Sequence, residues 1–108
     1  RKKKHFDNWI TIATEFEKHY QNEQNSKRKK QILGYLVDYK DLTLLMNWKA
    51  QKNEELWKYS YDAYKKLTSF SITEYLSSEF SFDLKKKNFL QNLPTNLGYE
   101  IFRKRFGG

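Results

Sequence analysis

The sequence predicts an all-α protein, a compact bundle of six or seven short amphipathic helices. Apolar residues recur at steps of three and four over most of the 108 residues, which is the spacing of one buried helix face. No segment alternates apolar and polar residues as a half-buried strand would. Three Trp, eight Tyr and eight Phe supply the bulk for one buried core in spite of the high charge.

The first half of the chain predicts three helices. In residues 6–20 the apolar side chains fall on one helix face, with charged and amide side chains between them. After a polar loop, residues 27–39 repeat this spacing, and Ser26 stands where an N-cap residue belongs. Asp41 can cap a third helix, and the pattern leaves the end of that helix open near residues 50–54.

The clearest helical pattern covers residues 54–68, where apolar and charged side chains fall on opposite faces. A capping-box spelling follows, because Ser71 stands three residues before Glu74. In such a box each side chain accepts a hydrogen bond from the other residue's backbone amide. This pair predicts a short helix over residues 72–80.

The last part of the chain predicts two further helices. Asp83 can cap the first, and Pro94 ends it because proline lacks an amide hydrogen and excludes the preceding residue from helical angles. Thr95 or Asn96 can begin the last helix. The expected organisation is a basic arm over residues 1–5, one helical domain over residues 6–106, and a Gly107-Gly108 linker or chain end.

Composition excludes several classes of protein and site. The chain has no cysteine, so it has neither disulfides nor thiolate metal ligands, and this favours an intracellular location. No apolar run approaches the roughly 18 residues that cross a bilayer, so no membrane partner is expected. The basic runs at residues 1–4 and 27–30 are similar to nuclear-import signals, which favours the nucleus over the cytoplasm.

The sequence contains no recognisable catalytic or cofactor motif. His5 and His19 are the two histidines, and they lie fourteen positions apart with no paired carboxylate pattern, so they do not predict a metal site. No nucleophile motif and no glycine-rich phosphate loop is present. We therefore expect a protein that is not an enzyme and that binds no metal or cofactor.

The formal net charge is +8, and the basic residues are unevenly arranged. Fourteen of the 21 Lys and Arg residues lie in four clusters, whereas the 13 Asp and Glu residues are scattered. The clusters are Arg1, Lys2, Lys3 and Lys4; Lys27, Arg28, Lys29 and Lys30; Lys85, Lys86 and Lys87; and Arg103, Lys104 and Arg105. These are the candidate nucleic-acid-binding residues, because phosphate backbones are bound mainly by Lys and Arg.

Two of these clusters stand where helix formation does not favour them. Residues 27–30 and 85–87 fall in the first turns of predicted helices, where the helix dipole disfavours each cation by about 0.3 to 1 kcal/mol at low salt. Cations beside the exposed amides of a helix start suit an anion such as phosphate. Residues 103–105 fall at a helix end, where the dipole stabilises them without any ligand.

An aromatic stripe provides a second kind of candidate surface. Trp57, Tyr61 and Tyr64 lie in the helix predicted over residues 54–68, with Tyr61 toward the edge of its polar face. Exposed aromatic rings can stack on bases or dock a protein partner. The same spacing is typical of a packed core, so both interpretations stay open.

The sequence favours a non-catalytic basic helical domain that binds nucleic acid through its phosphate backbone. It carries no recognition-helix motif or RNA-binding signature, so DNA and RNA are both open as ligands. The alternative is a protein-interaction module that docks an acidic or phosphorylated partner within a larger assembly. The sequence does not define the oligomeric state.

Overall fold

The computed structural model describes residues 2–51 and 53–106, and within these ranges it contains six α-helices and no strand. In chain order the helices are α1 (Lys2–Asn22), α2 (Ser26–Gln51), α3 (Glu54–Lys65), α4 (Ile72–Leu76), α5 (Phe82–Leu90) and α6 (Thr95–Phe106). The predicted all-α bundle is therefore confirmed.

Helix α1 begins earlier than the sequence pattern predicts. Residues 2–5, which were expected to form an arm, are the first turn of this helix. Nothing interrupts the helix before Phe6, and lysine has a high helix propensity. The Lys3 ammonium also lies 5.2 Å from the centroid of the Tyr59 ring, so this turn contacts α3. Arg1 and the Gly107-Gly108 pair lie outside the described residues.

Helix α2 is continuous where the sequence pattern predicts two helices. The predicted break before Asp41 was wrong, because the buried face of α2 runs unbroken through this position. Lys40 occupies a buried site on that face between Leu36 and Leu44, with 1% of its surface exposed. A lysine at a core position interrupts the apolar pattern of the sequence without interrupting the helix.

The N-caps of α2 and α5 differ from those predicted. Asn25, not Ser26, caps α2, since its Oδ1 accepts a hydrogen bond from a first-turn amide at 3.1 Å. Ser81, not Asp83, caps α5, since its Oγ accepts from a first-turn amide at 3.1 Å. Each helix starts one or two residues before its predicted start. The small polar residue directly before the observed start is the N-cap in both helices.

The capping box of α4 is confirmed, and α3 has an additional cap. Ser71 Oγ accepts from the Glu74 amide at 3.2 Å, and Glu74 Oε1 accepts from the Ser71 amide at 2.7 Å. Asn53 Oδ1 accepts from an amide of α3 at 3.0 Å. Both α3 and α4 are shorter than the predicted ranges 54–68 and 72–80.

Two clusters of buried side chains form the core. The larger cluster lies among α1, α2, α3 and α6, and it consists of Ala13, Leu36, Leu44, Trp57, Tyr61, Tyr64 and Phe102. The smaller cluster joins α2 to the segment that carries α4 and α5, and it consists of Leu33, Val37, Phe70 and Phe80. Helix α2 therefore contributes side chains to both clusters and connects them.

Polar contacts fix α5 against α2. Gln91, at the end of α5, is buried, and its Nε2 donates to the Val37 carbonyl oxygen at 2.8 Å. Asn88 is also buried, and its Oδ1 accepts from the Phe70 amide at 3.0 Å. These contacts set the space between α2 and α5, where the candidate site lies.

Candidate nucleic-acid interface

A groove of about 450 Å³ runs between α2 and the segment that leads from α4 into α5. Its α2 wall includes Lys27, Lys30 and Tyr35, and its opposite wall includes Phe80 and Leu84. The first of the predicted basic clusters therefore lies directly on this groove.

In the second predicted cluster, Lys87 is connected to the same groove by an ion pair with a lining residue. Lys87 lies 2.9 Å from Asp38, a groove-lining residue, and 2.9 Å from Asp83. Hydrogen bonds to Asp83 and Asp38 raise the pKa of Lys87 well above its usual value. A second ion pair joins Lys30 of α2 to Glu79 on the opposite wall, and this contact lowers the pKa of Glu79. Both pairs connect the two walls.

Two further lysines of these clusters also contact the protein itself. The Lys29 ammonium lies 4.8 Å from the centroid of the Tyr20 ring. Lys85 Nζ donates to the Ser77 carbonyl oxygen at 2.6 Å. Four of the seven predicted residues, at positions 29, 30, 85 and 87, therefore contribute to the packing of the fold.

Lys27, Arg28 and Lys86 are exposed, and their side chains have no hydrogen bond or ion pair within the part of the chain that the structure describes. Lys27 and Arg28 lie in the first turn of α2, and Lys27 lines the groove. Lys86 lies elsewhere, because it is two residues from Leu84 and so faces the opposite side of α5. The groove is therefore lined by one unpaired cation, Lys27, with Arg28 next to it in the chain, rather than by both whole clusters.

Lys3 and Lys4 of the N-terminal cluster do not join the groove. Helices α1 and α2 are connected by three residues and run antiparallel. Lys3 and Lys4 lie near the start of α1, so the length of that helix, about 27 Å from Lys4 to its end, separates them from Lys27. Lys4 is exposed, and nothing is described of the side chain of Lys2.

The C-terminal cluster lies at the end of α6, where helix-dipole stabilisation is expected. Arg103 forms an ion pair with Glu100 at 2.8 Å, and Lys104 is exposed. Arg105 interacts with Asp41 of α2. Burial raises the pKa of Asp41, and the charges of Lys87 and then Arg105 partly oppose this rise.

The predicted aromatic stripe is part of the core. Trp57, Tyr61 and Tyr64 are 1%, 0% and 1% exposed. The Trp57 Nε1 donates to the Leu44 carbonyl oxygen at 3.0 Å, and the Tyr61 hydroxyl donates to the Leu90 carbonyl oxygen at 2.5 Å. The hypothesis that these rings stack on bases or dock a partner is therefore wrong, because no ring face is accessible.

The exposed aromatic residues are others, which the sequence pattern did not single out. Tyr35 is 63% exposed and lines the groove. Phe82 and Phe89 are 80% and 57% exposed, and their spacing places them with Lys86 on the outer face of α5. Tyr35 was assigned to the apolar stripe of helix two. A helical-wheel angle measured from the core residues Leu33 and Leu36 could have shown that it faces outward.

Among the residues at 2–51 and 53–106, no group of three or more His, Cys, Asp or Glu side chains could hold a metal ion. None of the described helices is both long and apolar enough to cross a membrane. Comparison with protein-family models, with curated proteins and with solved structures finds no match for this chain.

Proposed function

We propose that this chain is a non-catalytic nucleic-acid-binding domain that contacts the phosphate backbone beside the α2–α5 groove. The observation that carries the proposal is the placement of Lys27 and Arg28. Both side chains are exposed in the first turn of α2, where the helix dipole disfavours cations, and no described contact compensates for that cost. A phosphate group bound there would compensate for it.

The charge around the groove also supports an anionic ligand. The two clusters at residues 27–30 and 85–87 hold seven basic residues, and the carboxylates that pair with them are those of Asp38, Glu79 and Asp83. Lys86 faces the opposite side of α5 and is left out of the balance, so six positive charges against three negative charges leave a local surplus of three. A positive surplus attracts a polyanion at long range and accelerates its association.

The proposal is tested with the double variant Lys27→Gln/Arg28→Gln. Fluorescence anisotropy with labelled DNA and RNA, titrated with salt, should show weaker binding. The negative slope of log affinity against log salt should become less steep by about two, because each cation that contacts a phosphate contributes about one. The circular-dichroism signal should stay helical, since neither side chain packs in the core.

A matched control removes the same charge elsewhere. Lys4→Gln/Lys49→Gln changes two exposed lysines near the far ends of α1 and α2, and it should keep most of the affinity and the slope. Equal losses in both double variants would show that net charge, not the groove, governs binding. Absence of binding at low salt would overturn the proposed function itself.

The location in the cell belongs to the same proposal. Basic runs like residues 27–30 are similar to nuclear-import signals, and nucleic-acid binding suits a nuclear or nucleoprotein-associated protein. The anisotropy measurement shows whether the chain has the higher affinity for DNA or for RNA, because both ligands are titrated at the same salt concentrations.

A second candidate function, a protein-interaction module for an acidic or phosphorylated partner, is favoured by a different surface. Ile72 and Leu76 on α4 are 79% and 81% exposed, and Phe82 on α5 is 80% exposed. Exposed aliphatic side chains gain little from bases and more from an apolar protein surface. Under this alternative Ile72→Ser/Leu76→Ser should abolish binding of an acidic or phosphorylated peptide, whereas Lys27→Gln/Arg28→Gln should only weaken it.

A further inference from the structure

We infer that the α2–α5 groove binds an unpaired base, and that the ligand class is therefore single-stranded nucleic acid. This inference rests on the proposed function and goes beyond it, because phosphate contacts alone do not distinguish single strands from duplexes. It is carried by the shape of the groove, by its aromatic wall and by the distribution of its charges.

The groove has the size of a small-ligand site. Its volume of about 450 Å³ lies within the range of roughly 300 to 1,000 Å³ that is usual for such sites. Gly34 lines the α2 wall and contributes no side chain, and Phe80, which is 7% exposed, lies at the base of the opposite wall. The walls meet at Gly34, where a Cβ would lie 3.5 Å from Leu84 Cδ1, so a planar, largely apolar group can lie in the open part of the groove beside that contact.

Tyr35 gives the groove an aromatic surface. Its side chain is 63% exposed although it lines the groove, so a face of its ring is accessible from solvent. Stacking on aromatic rings is the usual way in which proteins hold unpaired bases, and it tolerates any base because each has a π-face. In a duplex the faces of the bases are already stacked on one another, and Tyr35 would gain nothing.

The charges are arranged for a base inside and a phosphate outside. Inside the groove, Lys30 is paired with Glu79, and Asp38 is paired with Lys87, so the interior is close to neutral. Gln31 lines the same interior and offers an amide that can hydrogen-bond to the edge of a base. Lys27 lines the groove, its chain neighbour Arg28 is exposed in the same helical turn, and neither is paired. An uncharged base therefore suits the interior, and its phosphate suits these two cations.

The test compares a labelled single strand of about ten nucleotides with the duplex of the same sequence, in DNA and in RNA, by anisotropy with the full chain. We expect the single strand to bind more tightly. Tyr35→Leu should lower single-strand affinity by at least about fivefold, the lower end of the effect of losing one stacked base. Tyr35→Phe keeps the ring and should keep the affinity. Tyr59→Leu, a change of an exposed tyrosine on α3, should also keep it.

The outcomes separate this inference from the proposed function. Loss of single-strand preference in Tyr35→Leu, with its retention in Tyr35→Phe, supports the inference. Equal binding of single strands and duplexes that is unaffected by Tyr35→Leu overturns the inference and leaves the proposed phosphate contacts standing. If neither ligand binds wild-type protein at low salt, both the proposed function and the inference are wrong.

Discussion

Lys40 is a charged residue at a core position, and its environment has a measurable consequence. Its Nζ donates to the Thr68 carbonyl oxygen at 3.0 Å, and Glu17 accepts a hydrogen bond from the Thr68 amide. Burial lowers the pKa of Lys40 from 10.5 to about 8, and the charge of Glu17 partly opposes this decrease. The buried site therefore stabilises the protonated amine of Lys40 less than water does.

This lowered pKa predicts an unusual pH dependence of stability. Between about pH 8 and pH 10 the folded chain has lost the Lys40 proton, whereas the unfolded chain still holds it up to its pKa of 10.5. The unfolded state then binds more protons, so the free energy of unfolding should rise with pH, by up to about 1.4 kcal/mol per pH unit. Denaturant unfolding followed by circular dichroism at several pH values measures this slope.

Two comparisons check the cause of the slope. Lys40→Met has no titrating amine and should flatten the rise between pH 8 and pH 10, whereas Lys66→Met, a change of an exposed lysine, should keep it. Above pH 10 the trend should reverse, because burial raises the pKa of Tyr61 to about 12, while the same tyrosine ionises near 10 in the unfolded chain. A wild-type stability that falls steadily from pH 8 would contradict this account.

At the scale of the elements, two helical glycines predict opposite responses to the same substitution. A Cβ at Gly98 of α6 would lie 2.6 Å from the Tyr61 ring, which is buried and hydrogen-bonded and cannot move away. A Cβ at Gly34 of α2 would lie 3.5 Å from Leu84 Cδ1, an ordinary contact. Gly98 is therefore required where α6 crosses α3, and Gly34 is not required for packing.

We expect Gly98→Ala to lower the free energy of unfolding by about 1 to 3 kcal/mol, the usual cost of overpacking a core. Gly34→Ala should leave it unchanged or raise it by up to about 1 kcal/mol, because alanine has the higher helix propensity. Urea unfolding of both variants measures the difference. Equal effects would mean that α6 shifts freely relative to Tyr61.

Local sequence signals predicted the helices, and they failed where tertiary contacts decide. The capping box at Ser71 depends on residues three apart, so the sequence contains all of its information. The break predicted before Asp41 depended on reading Asp41 as an N-cap, whereas Lys40 beside it is buried and donates to a carbonyl 28 residues away. No pattern within one helix could have indicated that partner.

The candidate site was less predictable than the helices for the same reason. The sequence indicated Lys27 and Arg28, because cations at a helix start are anomalous within that helix alone. It did not indicate the groove, whose walls are about 50 residues apart in the chain. It also indicated Tyr61 as the stacking residue, although Tyr61 is buried and Tyr35 is exposed. Helical spacing identifies a row of aromatic side chains but does not show which neighbouring helix covers that row.

At the scale of the whole molecule, the two core clusters differ in the way they are held together. The larger cluster is dominated by aromatic contacts, such as the stacked Trp57 and Tyr61 rings, whose centroids are 5.0 Å apart. The smaller cluster has fewer buried side chains, among them the Phe70 and Phe80 rings with centroids 4.5 Å apart, and polar contacts through Asn88, Gln91 and Lys87 supplement it. The segment with α4 and α5 should therefore open at a lower free energy than the rest.

Native-state hydrogen exchange of Asn88→Ala tests this difference. The substitution leaves the buried Phe70 amide without its acceptor, which costs about 1 to 3 kcal/mol. If the segment opens on its own, exchange should accelerate over residues 70–91, while the slowest amides of α1, α2 and α3 keep their rates. Thr73→Ala, in the same segment but exposed on α4, should change little. Uniform acceleration across all helices would instead mean that both clusters unfold together, and the groove could then not open or close independently of the larger core.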